Sequence, residues 1–360
     1  DDLFAVLNRT GEVRYPEGGT TEEVRAILQG PQKYPPARLL PGPPLMHGTG
    51  LFTAMSVMNS AGSIVVLRSR HFDVEELLDT VAREKVTEIS IVGDAFAKPV
   101  LAALDSKPDR WDISSLWLVI SSGVMWSEEV KKGLLRHQPK LLMIDNLGSS
   151  EAIGMARSSS KAGATASTGG FQLGANTKVI TEDGRDVVPG SGERGTVAIK
   201  GRGPIGYYKD PAKTDATFRL IDGERWTIPG DFAEVAADGS VKLLGRGSVC
   251  INTGGEKVFP EEVEEALKLH PAVADAAVVG VPDDRFGEAV AAVVEPRATS
   301  SPPDEAELID AVRRRLAGYK APRHIVMVDT VGRAPNGKVD YKRLRELAIA
   351  ALGTDVKFPA

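Results

Sequence analysis

The stretch that decides the fold runs from Gly245 to Glu264 and reads GRGSVCINTGGEKVFPEEVE. Arg246 supplies a guanidinium that can pair with an anionic or ribose oxygen. The pair Gly254-Gly255 allows the backbone to approach a ligand closely, because glycine has no Cβ. Pro260 then opens a helix with glutamates in its first turn. A glycine-rich linker before a surface helix is the competing interpretation, and the length of the pattern argues against it.

The segments on either side of this stretch predict different kinds of structure. Residues 71–151 alternate helix and strand patterns, which is typical of a parallel sheet covered by helices. Residues 170–245 contain short β-like runs separated by turns and predict a small antiparallel or barrel-like β-rich subdomain. We therefore predict an α/β protein with a large domain over 1–247, a smaller mobile α+β domain over 248–345, and a tail over 346–360.

Local signals place several elements within 71–151. Asp73 followed by Glu76 predicts a capping box at a helix start, and Leu77, Leu78 and Val81 form the apolar stripe of that helix. Three short apolar runs predict buried strands: Ile89–Val92, Leu116–Ile120 and Leu141–Ile144.

Polar residues follow the last of these strands in the order Leu147-Gly148-Ser149-Ser150-Glu151. Ligands of parallel sheets bind at the carboxyl ends of strands, where hydroxyls can hold phosphate oxygens and a carboxylate can hold Mg²⁺. A serine-rich turn before a helix is an equally good interpretation of this segment alone. Asp231, in Pro229-Gly230-Asp231, can accept hydrogen bonds from ribose hydroxyls, although taken alone it is better explained as a turn residue.

Two further segments carry candidate residues. Pro335-Asn336-Gly337-Lys338 presents a lysine on a tight turn, a point charge suited to stabilising a phosphate or carboxylate during reaction. His47 lies in Pro44-Leu45-Met46-His47-Gly48-Thr49-Gly50, where it lines an acyl or thiol channel or, as lone histidines more often do, packs structurally. Neither segment is decisive by itself.

Composition narrows the class of protein. The 360 residues carry a formal net charge of -5, which argues against nucleic acid as the main partner. Cys250 is the single cysteine, so an internal disulfide is excluded and no oxidising compartment is indicated. No apolar run reaches transmembrane length, and the N-terminus lacks the features of a signal peptide, which together predict a cytoplasmic location. The oligomeric state, a homo-oligomer included, is left open.

In this order along the chain, the five segments resemble the adenylate-forming superfamily, which includes acyl-CoA synthetases, luciferases and peptide-synthetase adenylation domains. The resemblance runs from about His47 to about Arg345 and is most specific at Gly245–Glu264 together with Pro335–Lys338. Within the superfamily the sequence is similar to bacterial, particularly actinobacterial, fatty-acyl or steroid side-chain CoA ligases. The resemblance implies ATP, Mg²⁺ and coenzyme A as cofactor and co-substrates, and a carboxylic acid as substrate.

The resemblance also implies roles for individual residues. Glu151 would bind Mg²⁺, Ser149 and Ser150 would contact phosphate, and Asp231 with Arg246 would hold the ribose. The other implied nucleotide contacts are Ser122, Gly123, Val124, Asn146, Leu147 and Gly148.

Lys338 would bridge the substrate carboxylate and the α-phosphate during adenylation. The implied acyl pocket contains His47, Gly50 and Val124, the coenzyme A tunnel contains Gly254, Gly255 and Glu256, and Ser248 stands at the hinge. Long-chain fatty acids and sterol side-chain acids are the first two substrate classes expected.

The sequence departs from the family pattern in three ways. No Ser/Thr/Gly-rich phosphate loop ending in lysine occurs, and Asp1-Asp2-Leu3-Phe4 resembles the helix that follows that loop, so we expect the sequence to begin just after it. Leu147 replaces an aromatic ring found in many members, and Ser248 replaces the usual hinge aspartate. The alternatives to an active ligase are a non-catalytic fragment or pseudoenzyme that binds nucleotide, coenzyme A or a protein partner, and another adenylate-forming enzyme such as a stand-alone adenylation domain.

Overall fold

The computed structural model describes residues 20–29, 36–165, 167–201, 203–297, 303–334 and 337–353. Asp1-Asp2-Leu3-Phe4, Pro335 and Asn336 lie outside the described residues. Within them the chain forms two sheets, one of thirteen strands and one of five, with helices packed on both. The α/β class with a large and a smaller sheet, predicted from the sequence, is confirmed.

The first half of the large sheet is parallel, in the spatial order β5-β4-β3-β1-β2. Its strands are β1 (Arg38–Pro41), β2 (Ser63–Ile64), β3 (Glu88–Ile91), β4 (Leu118–Ser122) and β5 (Leu142–Leu147). Its helices are α1 (Thr21–Gln29), α2 (Gly48–Asn59), α3 (Val74–Glu84), α4 (Asp94–Ser106) and α5 (Glu128–His137). The three strands predicted between residues 89 and 144 all form, each shifted by one to three residues at its ends.

The start of α3 shows one correct and one incorrect local prediction. Asp73 caps the helix, and its Oδ1 accepts hydrogen bonds from the amides of Glu75 and Glu76 at 2.9 and 3.0 Å. The reciprocal half of the capping box is wrong, because the Glu76 carboxylate accepts from the amide of Arg68 at 2.6 Å instead. The carboxylate thus ties the preceding loop to the helix.

Helix α2 is unusual because it has apolar residues on both of its faces and no charged residue. Ala54 and Val57 are buried against the sheet, where α2 contacts β1, β2 and β3. On its other side Leu51, Met55 and Met58 are 41%, 49% and 62% exposed. A helix that is apolar all round normally lies inside a protein, so this outward face stands out.

The second half of the large sheet is antiparallel and continues from β5 through β6 and β7. Its strands are β6 (Ala156–Ser160), β7 (Gly170–Leu173), β8 (Thr177–Ile180), β9 (Arg194–Lys200), β10 (Phe218–Ile221), β11 (Glu224–Thr227), β12 (Asp231–Val235) and β13 (Val241–Arg246), with α6 (Pro211–Thr217) before β10. Strands β12 and β13 form a hairpin in which Asp231 pairs directly with Arg246. The strands between residues 170 and 246 are therefore antiparallel and continue the large sheet, and their division into a separate subdomain stays a prediction.

The smaller sheet begins after β13, beyond a 3₁₀ turn at Gly247–Val249. Its strands are β14 (Ile251–Thr253), β15 (Glu256–Val258), β16 (Val273–Asp283), β17 (Gly287–Pro296) and β18 (His324–Met327). Its helices are α7 (Pro260–Lys268), α8 (Glu305–Arg313) and α9 (Tyr341–Leu352). Both faces of the sheet are covered, since Val263 and Leu308 belong to one buried cluster and Leu344 and Ala348 to the other.

Candidate active site

The site lies at the carboxyl edge of the parallel strands, where His47 and Gly123 come together. Gly123 follows β4 with φ +97°, and a Cβ built on it would lie 3.7 Å from His47 Cε1. His47 caps α2, and its Nδ1 accepts the amide of Thr49 at 3.3 Å. The Thr49 hydroxyl donates to the carbonyl of Ser122 at 3.4 Å, which ties the start of α2 to the end of β4. Burial and the charge of Lys338 lower the pKa of His47, so the neutral imidazole is favoured.

Gly50 and Val124 contribute packing at the same place. A Cβ on Gly50 would meet the carbonyl oxygens of Pro44 and Pro43 at 2.8 and 2.9 Å, so only glycine lets α2 begin so close to that loop. Val124 is partly buried against the core of the parallel half. The acyl-pocket roles of both residues stay predictions.

The polar segment after β5 forms a tight turn. Ser149 and Ala152 exchange backbone hydrogen bonds of 2.9 and 3.2 Å, and Gly148 has the Ala152 carbonyl 3.1 Å from its Cβ position. Leu147 is buried, whereas Ser150 is exposed. The side-chain oxygen of Asn146 accepts from Arg157 Nε at 3.3 Å. The turn therefore has a fixed backbone shape, and its serines stand beyond the end of β5.

Glu151 is held by a residue distant in the sequence. The hydroxyl of Tyr207 donates to Glu151 Oε1 at 2.6 Å. Burial opposes ionisation of this carboxyl, but hydrogen bonds from Tyr207 and Ser149, with a smaller contribution from the charge of Arg246, outweigh it, so its pKa is lowered. Glu151 is thus an ionised carboxylate fixed in direction, as a metal ligand requires.

Asp231 and Arg246 form a second anchoring point on the hairpin. Arg246 Nε lies 3.2 Å from Asp231 Oδ1, with Asp231 buried and Arg246 about half exposed. Within the described part of the chain, no donor reaches the buried Oδ2 of Asp231. Burial raises the pKa of Asp231 despite the neighbouring guanidinium. An unsatisfied buried carboxylate oxygen fits a ligand that brings hydroxyl groups.

The turn that carries Lys338 reaches the same edge from the smaller sheet. Gly337 has φ +76°, and a Cβ there would lie 2.9 Å from the Cβ of Ala95 and 3.4 Å from Val92 Cγ1. Val92 lies in the connection between β3 and α4, and Ala95 lies in the first turn of α4. Together with the effect of the Lys338 charge on His47, this contact places the lysine beside His47 and Gly123.

The other predicted residues of the smaller unit lie apart from this cluster. Ser248 is in the 3₁₀ turn that separates the two sheets. Gly254 and Gly255 form the β14–β15 turn with φ +60° and +88°. Gly254 contacts Phe286, and space is open around the Cβ position of Gly255 among the described residues. The turn holding Gly254, Gly255 and Glu256 is therefore exposed rather than joined to the Lys338 site.

Sequence reasoning missed Glu261, which links the two sheets. Its Oε1 accepts the Arg246 amide at 3.4 Å, and its carboxyl fills the space where a side chain on Gly245 would be. Burial, together with the negative charge of Glu264, raises the pKa of Glu261 to about 8. The residue is one of four glutamates on α7, and nothing in the local pattern distinguishes it. The one indication in the sequence is the glycine at position 245, which leaves room for another side chain to pack against β13.

Buried charges beneath the strand ends were also missed. Lys131 on α5 is 1% exposed, and its Nζ lies 3.9 Å from Asp145 Oδ2 on β5. Burial raises the pKa of Asp145 to about 7, opposed by the charge of Lys131. Asp94 is a third buried charge here and accepts hydrogen bonds from the amide and hydroxyl of Ser127. Nothing in the local sequence pattern of α5 marks Lys131 as buried.

Comparison with known proteins agrees with this geometry. The family model of AMP-binding enzymes matches residues 21–208, and that of the AMP-binding enzyme C-terminal domain matches residues 262–338. The chain belongs to the AMP-binding enzyme family.

Among curated relatives, the chain is 44% identical over 359 residues to a medium/long-chain-fatty-acid–CoA/3-oxocholest-4-en-26-oate–CoA ligase of Mycobacterium marinum, covering 99% of the chain and 64% of the relative. It is 41% identical to a 3-oxocholest-4-en-26-oate–CoA ligase of Rhodococcus rhodochrous, covering 95% of the chain and 62% of the relative. The chain thus spans about 64% or less of the length of these relatives.

Solved structures show the same fold. The amide bond synthetase McbA from Marinactinospora thermotolerans superposes with a TM-score of 0.73 at 26% identity, covering 91% of this chain and 64% of that one. The anthranilate CoA ligase AuaEII in complex with anthranoyl-AMP gives a TM-score of 0.74 at 25% identity, covering 88% and 60%. Across the described ranges, no helix has the length and apolar character needed to cross a membrane.

Proposed function

We propose that the protein is an ATP-dependent acyl-CoA ligase. In the first step a carboxylate oxygen attacks the α-phosphorus of ATP, and pyrophosphate leaves to give an acyl-adenylate. In the second step the sulfur of coenzyme A attacks the acyl carbon, and AMP leaves. The observation that carries the proposal is the arrival of the Lys338 turn, from the smaller sheet, at the strand edge that holds His47 and Gly123.

The nucleotide would lie between the β5 turn and the β12–β13 hairpin. We assign the ribose hydroxyls to Asp231, because its Oδ2 is buried and unsatisfied while Oδ1 is already bonded to Arg246. Ser149 and Ser150 lie on the turn where phosphate oxygens would be bound. The backbone amides and hydroxyls there supply donors without needing large side-chain movement.

Glu151 fits the role of a Mg²⁺ ligand. Among the described residues no cluster of three or more His, Cys, Asp or Glu forms a metal cage. Mg²⁺ is usually held by one or two carboxylates together with substrate phosphates and water, so a single oriented carboxylate suits it. When bound, the ion would neutralise charge on the phosphates, and Tyr207 keeps the Glu151 carboxylate ionised and aimed.

Lys338 would act during adenylation. Its ammonium group is a compact charge on a flexible stem, which suits the charge that builds up between the incoming carboxylate and the α-phosphate. The neutral state favoured for His47 avoids a second positive charge beside it. The second step requires the sulfur of coenzyme A to reach the acyl carbon, so we infer that the smaller unit turns about Ser248 and brings Gly254, Gly255 and Glu256 to the site.

We propose a carboxylic acid with a large apolar body as the substrate. The names of the relatives specify medium- and long-chain fatty acids and a steroid side-chain acid. The residues near His47 are apolar, and Phe52 and Met46 are 36% and 94% exposed in this structure. Because cells keep their ATP and coenzyme A in the cytoplasm, the proposal implies that the enzyme works there.

Mass-spectrometric detection of acyl-AMP and acyl-CoA tests the proposal. The chain is incubated with ATP, Mg²⁺, coenzyme A and a panel of short, long and steroidal acids, alone and joined to the part of the Mycobacterium marinum relative that it does not span. We expect acyl-AMP and acyl-CoA from at least one long-chain or steroidal acid, and an Asp231→Asn variant with a raised KM for ATP. Absence of both products in both forms would refute the ligase proposal and leave a binding role.

A further inference from the structure

Arg333 connects the Lys338 turn to the smaller sheet. Its guanidinium makes a two-point ion pair with Asp275 at the start of β16, with Nε to Oδ2 at 2.6 Å and Nη2 to Oδ1 at 2.9 Å. The Arg333 and Asp275 side chains are only 17% and 21% exposed. A planar guanidinium can satisfy two carboxylate oxygens and still present a third donor, which an ammonium group cannot do in the same geometry.

The third donor of Arg333 is used on the turn itself. Nη1 donates to the carbonyl oxygen of Gly337 at 3.1 Å, and this carbonyl belongs to the peptide bond that leads into Lys338. Two backbone hydrogen bonds close the turn, from Gly337 to the Ala334 carbonyl at 2.7 Å and from Ala334 to the Lys338 carbonyl at 2.9 Å. These bonds therefore tie the described backbone at Ala334, Gly337 and Lys338 to β16 through Arg333.

The turn that carries Lys338 contacts both the smaller unit and the large one. Arg333 and Asp275 both belong to the smaller unit, so their ion pair travels with it when the unit moves. Gly337 contacts Val92 and Ala95 beside the large sheet. With the rotation proposed above, those contacts would break and form again in each cycle. A turn that had to reorder each time would lose the geometry on which its lysine depends.

We propose that Asp275 and Arg333 are positioning residues for Lys338: they hold its turn in a fixed shape on the smaller unit, so that the lysine arrives at the strand edge already oriented. Both residues would act through the turn and not on the substrates themselves. The proposal rests on the function proposed above for Lys338. The alternative is an ordinary stabilising ion pair of the smaller sheet, which would affect both half-reactions and the whole unit alike.

Hydrogen exchange of the chain separates these two explanations without requiring activity. The variants are Arg333→Lys, which keeps the charge, and Asp275→Asn, which keeps the shape. Arg345→Lys is the matched control. Like Arg333, Arg345 bonds to β16, where its Nε donates to the Gly280 carbonyl at 2.8 Å, but it lies on α9 and not in the turn. We expect the Ala334 and Gly337 amides to exchange at least about tenfold faster in both variants, while the amides of β16 and β17 exchange at the wild-type rate. In the control variant all of these amides should exchange at the wild-type rate.

Separate half-reactions provide the second readout in the active form of the protein. We expect Arg333→Lys to lower the rate constant of adenylation by about 10- to 100-fold, as small misplacements of a catalytic group do, with a nearly unchanged KM for ATP. Thioester formation from pre-made acyl-adenylate should stay within about twofold of the wild type, because Lys338 takes no part in it.

Each outcome decides the matter. Unchanged exchange at Ala334 and Gly337, or faster exchange spread over β16 and β17, would overturn the positioning role. Equal losses in both half-reactions would do the same. A wild-type protein that forms no acyl-AMP would refute the ligase proposal, while the exchange data would still show whether the ion pair fixes the turn.

Discussion

Glu261 makes the contact between the two sheets sensitive to pH, and Glu261→Gln should remove that sensitivity. In this structure, where α7 packs against β13, the Glu261 carboxyl has a pKa of about 8, against 4.5 for an exposed glutamate. The packed state therefore holds the proton more tightly than a state in which α7 has separated from β13. The contact is fully stable below about pH 4.5 and weakens as the pH rises through about 8.

The size of the effect follows from the two pKa values. A difference of about 3.5 units corresponds to a free energy of about 4–5 kcal/mol over the full range, at 1.36 kcal/mol per unit. The equilibrium constant for opening should rise by up to about tenfold for each pH unit between 5 and 8. Glu264 and Asp231 also face this carboxyl with negative charge, and both remain in the variant. The amide carries no charge and keeps the acceptor for the Arg246 amide.

Hydrogen exchange at the Arg246 amide, which donates to Glu261 at 3.4 Å, provides the assay. The ratio of protection in the wild type to protection in Glu261→Gln cancels the intrinsic effect of pH on exchange. We expect this ratio to fall steadily from pH 5 to pH 8. Glu305→Gln, which removes an acid at the start of α8, is the control, and its Arg246 amide should show the same protection as the wild type at each pH. A ratio that does not vary with pH would refute the reasoning.

Three other predictions follow from the site and the core. Lys338→Ala should lower the rate of adenylation by about 10²- to 10³-fold, the usual effect of removing one charge-stabilising group, and spare thioester formation from pre-made acyl-adenylate. Each half-reaction is stopped and followed by mass spectrometry, and an equal loss in both rates would contradict the prediction. Tyr207→Phe removes the 2.6 Å hydrogen bond to Glu151 and should raise the Mg²⁺ concentration needed for half-maximal adenylation, so an unchanged Mg²⁺ titration would count against the metal role. Leu267→Ala empties a fully buried position under the smaller sheet and should lower the free energy of unfolding of that unit by about 2–5 kcal/mol in denaturant titrations, whereas a loss below about 1 kcal/mol would mean that the cluster repacks.

The parts of the fold that the sequence predicted well are those set by local patterns. The Asp73 cap and the strands after α3 and α4 each depend on neighbouring residues, and all are present. The order of polar segments at strand ends also indicated which residues would meet, because parallel strands place their carboxyl ends along one edge. His47 and Gly123 lie 76 positions apart and are brought together in this way.

The residues that the sequence did not reveal act through long-range pairing. Tyr207 reaches Glu151 across 56 positions, and Arg333 reaches Asp275 across 58. Neither pairing leaves a periodic signal, because each partner is set by how distant segments of the same unit fold together and not by the local helix or strand. The burial of Lys131 gives no local signal for the related reason that it depends on Asp145 and Asp94, which lie on other elements.

The outward face of α2 has a chemical consequence for the chain in solution. Met55 and Met58 on this face are 49% and 62% exposed, and Met46, just before the helix, is 94% exposed, whereas Met143 and Met155 are 1% and 0% exposed. Oxidants therefore reach the first three sulfur atoms and spare the other two. Conversion to sulfoxides would make this apolar helix polar while leaving the core intact, so the redox history of a preparation would set how strongly this face adheres to other apolar surfaces.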